Sequence, residues 1–155
     1  MDKKQATHLH IDDCPELRSN LLIVLDQFSR EQAVQFATKA ICDFAIEPSY
    51  YSFPVIDEIK NTVAAYQNGN VKIGRMRNLS LKIHNLARNS PHPLTRAYYR
   101  AWGHALASAH VSTHAIIATD YLVYIVNLTA PNNNSAVKAL RTHQLTIINT
   151  IKSSQ

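Results

Sequence analysis

Glycine and cysteine are scarce in this chain, and long apolar runs are missing. Three glycines and six prolines in 155 residues exclude collagen-like and low-complexity classes. The two cysteines, Cys14 and Cys42, share no CxxC spacing and have no metal-ligand neighbours in a recognised pattern, so neither a disulfide framework nor a thiolate metal site is expected. Both read as free thiols in a reducing compartment. Cys42 lies in an apolar stretch and is expected in the core. No apolar segment reaches the roughly 18 residues of a membrane span. The richest stretch, Ala105–Leu128, holds His110, His114 and Asp120 and reads as a buried helix. Met1-Asp2-Lys3-Lys4-Gln5 lacks the apolar core of a secretion signal, so a cytoplasmic protein without membrane contact is expected.

Acids are missing from a long central region. Residues 1–58 carry ten of the eleven acids against five Lys/Arg, whereas residues 59–155 carry eleven Lys/Arg against Asp120 alone. No carboxylate occurs from Ile59 to Thr119, a stretch that contains Lys60, Lys72, Arg75, Arg77, Lys82, Arg88, Arg96 and Arg100. Such a split has two readings. The acidic third can pack against the basic remainder, within one chain or across the two-fold axis of a homodimer. Otherwise the basic surface meets an anionic partner.

What is present is helical periodicity. The apolar share of 46% is enough for a packed core, and the length suits one domain spanning residues 1–155. Residues 1–13 read as a loose start. Asp13-Cys14-Pro15-Glu16 opens a first helix. Ser29-Arg30-Glu31-Gln32 is a capping box for a second, with Ala33, Ala37, Ala40, Ile41 and Phe44 inward. Pro54 starts a third helix, closed by Gly69 in the left-handed region. A fourth carries Met76, Leu79, Ile83 and Leu86. Pro91-His92-Pro93 breaks it, and a small-residue helix runs from Leu94 to about Ala109. Ser112 or Thr113 caps the next helix, which is apolar nearly all round and therefore central. Ser135, after the Pro131–Asn134 turn, is expected to cap the last. The expected fold is all-α, a compact bundle of six to seven helices.

Histidines supply the obvious candidate chemistry. His110 and His114 stand four apart, which on one unbroken helix puts them about 6 Å apart at zinc-ligand spacing. The glutamate of HExxH is missing, and His104 and Asp120 are each six residues from the nearer histidine. The plainer reading is imidazoles hydrogen-bonded near a helix junction, with neither metal nor cofactor. His8-Leu9-His10-Ile11-Asp12-Asp13-Cys14 has ligand types at short spacing in a solvated tail. No GxSxG, P-loop or GxGxxG motif is present, so an enzyme is not expected. Lys72, Arg75, Lys82, Arg88, Arg96 and Arg100, with Tyr98, Tyr99 and Trp102, could track phosphates and stack bases. They match no recognised nucleic-acid module.

The run Ala101-Trp102-Gly103-His104 through Ala109-His110-Val111-Ser112-Thr113-His114-Ala115 to Tyr121 resembles bacterial immunity proteins of polymorphic toxin systems, grouped with their fifth class. Arg100, Gly103, His104, Ala109, His110, His114, Ala115, Ala118 and Tyr121 fall on the shared pattern. Upstream, Ala65–Ile73 resembles the family's turn between helices, and Ser29–Phe44 its first helix. The resemblance covers about residues 29–128. It departs from the pattern where Tyr98, Tyr99, Trp102, Ile116 and Ile117 replace alanines. It implies an all-helical, non-catalytic protein that neutralises a cognate toxin by surface complementarity. Exposed Arg75, Arg96, Tyr99, Arg100 and Trp102 are the expected contact residues. Gly103, His104, His110, His114 and Tyr121 are the family-motif residues. A basic face suits an acidic toxin surface rather than mimicry of nucleic acid. The alternative is a nucleic-acid-associated protein using that same face.

Overall fold

The computed structural model describes residues 9–154. Seven α-helices follow one another: α1 (Pro15–Leu25), α2 (Arg30–Cys42), α3 (Phe53–Gln67), α4 (Ile73–Arg88), α5 (Pro93–Ala107), α6 (His114–Thr129) and α7 (Asn134–Ser153). A 3-10 turn at Pro48–Tyr50 joins α2 to α3, and no strand occurs among the described residues. None of these helices is long and apolar enough to cross a membrane.

Local chemistry accounts for most helix ends. Pro15 lies in the first turn of α1 behind an extended Cys14. Ser29 Oγ accepts from the Gln32 N–H at 3.1 Å while Gln32 Oε1 accepts from the Ser29 N–H at 2.8 Å, the reciprocal cap expected from the sequence. Gly69, at φ 77°, closes α3. The Asn70 N–H donates to Ala65 C=O at 2.8 Å and the Gly69 N–H to Tyr66 C=O at 3.0 Å, the two bonds of a Schellman motif. At α7 the cap is Asn133 rather than Ser135. Asn132 takes a left-handed φ of 62°, which asparagine tolerates, and Asn133 Oδ1 accepts from the Ala136 N–H at 3.0 Å.

The core is continuous and draws on every helix, from Leu21 in α1 to Ile151 in α7. Helix α5 packs most extensively on α4 and α6, α1 lies along α7, and α2 crosses α5, α6 and α7. Helix α6 is central, as its apolar circumference predicts. Cys42 corrects its expectation. It is exposed, because the buried stripe of α2 runs through Phe36, Ala37, Ala40 and Ile41 and Cys42 falls beside it at the helix end. Trp102 and Tyr99 correct theirs too, being 0% and 6% exposed. Both belong to the buried face of α5. The Tyr99 hydroxyl accepts from the Ser52 N–H at 3.0 Å, tying down the loop before α3.

Candidate functional site

Helix α5 carries Arg96, Arg100, Gly103 and His104, whose spacings of three and four residues put them near one another on its surface. Helix α4 brings His84 against them, and α6 brings His114 and Tyr121. Gly103 makes this approach possible. A Cβ there would lie 2.7 Å from His84 Cε1 and Nε2, so the imidazole occupies the space that any side chain would fill. The helices are pinned at the same level by Ser80 Oγ, which donates to the Gly103 C=O at 2.8 Å.

The rings form a chain. His84 meets His104 edge-on at 4.7 Å between centroids. His104 stacks with His114 at 5.1 Å and with Tyr121 at 5.5 Å. The Nδ1 atoms of His104 and His114 are 2.9 Å apart, so one ring donates and the other accepts. At the other end Arg100 Nη1 lies 2.8 Å from His84 Nδ1. A guanidinium only donates, so His84 Nδ1 is the acceptor and its proton sits on Nε2. Burial, then the charges of Arg100, His114 and Arg88, push His84 down to about 4. Burial, then His110, pushes His114 below the usual imidazole range.

Four of the five motif residues therefore converge: Gly103, His104, His114 and Tyr121. The fifth, His110, is exposed in the turn between α5 and α6. The two histidines four residues apart thus do not share a helix. Helix α5 ends at Ala107 and α6 begins at His114, so the partner of His114 is His104 across the junction. Among the described residues no three His, Cys, Asp or Glu are grouped to hold a metal. Of the ligand-rich tail, His8 lies outside the described residues. Sequence reading missed His84, because nothing in α4 marks one imidazole as the partner of a residue 16 positions away.

A second polar cluster lies across α6. Asp120 and Arg141 are both fully buried. Arg141 Nη2 donates to Asp120 Oδ1 at 2.6 Å and to Asp13 Oδ2 at 2.7 Å, while its Nε donates to Asp13 Oδ1 at 2.9 Å. Arg141 Nη1 reaches Thr119 Oγ1 and Gln144 Oε1. Arg18 forms a fork on Asp120 at 2.9 and 2.8 Å. Burial alone would raise the Asp13 carboxyl, but the bonds and charge of Arg141, the Cys14 N–H and Arg18 together hold it below the usual range. Of the expected loose start, residues 1–8 lie outside the described residues. Asp12 pairs with Asn127 and Asp13 is locked to α7.

The charge asymmetry is thus partly cancelled within the chain. Acids of the first third reach bases of the remainder: Asp13 to Arg141, Glu58 to Lys82 and Arg75, and Asp43 to His143. Lys60, Lys72, Arg77, Arg88, Arg96 and Arg100 reach no carboxylate among the described residues. Arg96 is exposed, with Nε and Nη2 donating to the Ser90 and Pro91 carbonyls. Arg100 is half-buried.

No curated protein and no solved structure gives a significant match to the chain. A family model does, over residues 24–150. That span takes in α2 to α6 and most of α7, so it contains the histidine chain and reaches beyond the 29–128 resemblance. The chain belongs to the Imm-5 like putative immunity protein family.

Proposed function

We propose that this protein binds a cognate bacterial toxin and neutralises it by surface complementarity, without catalysing a reaction. Family membership supports a toxin partner in general. The observation that carries the finer reading is the stretch from Ile59 to Thr119, which has no acid and leaves Arg77, Arg88, Arg96 and Arg100 without a carboxylate partner among the described residues. A toxin with an acidic inhibitory surface complements it. Arg75, also exposed, is a weaker contact candidate, since it shares Glu58 with Lys82. Trp102 and Tyr99 would contribute by holding α5 in place, because their rings are buried.

Capture of partners by the tagged chain from its source cells, followed by co-expression with the captured toxin, tests the proposal. The expected result is restored growth and a stoichiometric complex that survives nuclease treatment. The nucleic-acid reading is favoured by the same basic stretch and predicts the reverse. Nucleic acid would copurify, its affinity would fall steeply with log salt, and growth would not be rescued.

A further inference from the structure

A groove of about 500 Å³ opens beside the histidine chain, lined by Leu9, His10, Pro93, Arg96, Ala97, Arg100, Tyr121 and Tyr124. Among the described residues its only permanently charged liners are two arginines, and no acid lines it. Arg96 uses its Nε and Nη2 on two carbonyls. Among the described residues Arg100 is held by one nitrogen only, on the neutral ring of His84. A guanidinium held by a carboxylate has its charge cancelled locally, as at Arg141 and Arg18. Held by an imidazole acceptor, Arg100 keeps its full charge and loses only its freedom to move. It is half-buried and short of the water that would otherwise solvate it, so a counterion is worth more there than at an exposed arginine. The Arg100 charge also bears on the Tyr121 hydroxyl, which burial otherwise pushes above its usual value.

We propose that this groove is a receptor for one carboxylate. In the toxin-binding reading, on which this part rests, the guest is an Asp or Glu side chain of the toxin. The class follows from the donors. One positioned guanidinium fork matches the plane and single charge of a carboxylate. A phosphate dianion would ask for donors from both arginines, and Arg96, although charged, has its Nε and Nη2 committed to backbone carbonyls. The Tyr121 and Tyr124 hydroxyls, with no hydrogen-bond partner among the described residues, line the same groove as further donors. His84 is a positioning residue. Gly103 leaves room for it, and His104 backs it.

The test is an NMR titration of the full chain at constant ionic strength, following the Arg100 Nε–H and the tyrosine rings. The probes are N-acetyl-glutamic acid α-amide, its glutamine counterpart and inorganic phosphate. Saturable shifts are expected with the glutamic acid probe and none with the glutamine one. Arg100→Gln should weaken binding about tenfold or more, whereas Lys152→Gln, at an exposed cation of α7, should leave it unchanged. His84→Asn retains an acceptor near the Nδ1 position and should keep binding, which His84→Leu should lose although both lack the imidazole. Shifts that fail to saturate, tighter binding of phosphate, or binding indifferent to Arg100→Gln would each overturn the receptor. Saturation at Arg100 without toxin neutralisation would leave the receptor standing and remove the toxin reading. Neutralisation undiminished in Arg100→Gln, with no saturation, would do the opposite.

Discussion

Two arginine clusters lie on either side of α6, and they treat charge in opposite ways. Asp120 and Tyr121 are neighbours in sequence, yet Asp120 enters the buried network of Arg18, Arg141 and Asp13 while Tyr121 stacks on His104. In the first cluster each guanidinium meets carboxylates, and the charge is consumed in holding α1, α6 and α7 together. In the second, Arg100 meets a neutral imidazole, and the charge remains available at a groove. The comparison teaches that the partner of an arginine decides whether it serves the fold or a ligand. A buried cation must be cancelled to be tolerated. A half-buried one can be left charged if a neutral acceptor fixes it.

The strongest way to break the comparison is Arg141→Met. It leaves Asp13 without its fork and Asp120 with Arg18 alone, so a loss of about 3–5 kcal/mol is expected in urea unfolding. Next comes pH, which separates the clusters. His84 has a folded value of about 4 against an ordinary 6.5, so the unfolded chain takes up the proton first. Its contribution to stability is complete above pH 6.5 and is lost as pH falls towards 4. The loss is on the order of 3 kcal/mol at most, reduced by water at the half-buried ring. The Asp13 contribution is complete above its ordinary value of 3.8 and is lost only as pH falls below that. Unfolding free energies measured from pH 8 to 3 should therefore decline in two stages, and His84→Asn should shrink the upper stage, to which His114 also contributes, while leaving the lower one in place.

Gly103→Ala is expected to cost about 1–3 kcal/mol by overpacking, with the His84 and His104 ring resonances shifting as the imidazole leaves its place. The smallest effect on stability belongs to Arg100→Gln. Within about 1 kcal/mol of the parent in the same urea experiment, it should nonetheless lose carboxylate binding. A large loss of stability there would show that Arg100 serves the fold as Arg141 does.

The helices were legible because their signals are local. The Ser29–Gln32 box, Pro15, and Gly69 with its positive φ each act within one turn of chain. The motif Gly103, His104, His114 and Tyr121 was legible as a group, although its geometry was not. Reading His110 and His114 on one helix assumed that the helical phase continues through Ser112 and Thr113, and the break after Ala107 cancels that phase. His84 was invisible because its link to Arg100 joins two helices. The expected exposure of Trp102 and Tyr99 failed for a related reason. They sit among arginines in sequence, but the face of α5 that they occupy is buried by helix packing.

The sequence by itself determined that this chain is helical, where most of its helices start and stop, and that a central stretch holds no acid. Those properties depend on backbone caps, apolar spacing and composition, which act over a few residues or none. Only the tertiary structure decided which charges are spent. Asp13 and Arg141 are 128 positions apart, and no local rule pairs them. Helix packing brings them together and excludes water. Packing likewise places His84 rather than a carboxylate behind Arg100, and so leaves a positioned positive charge at a groove.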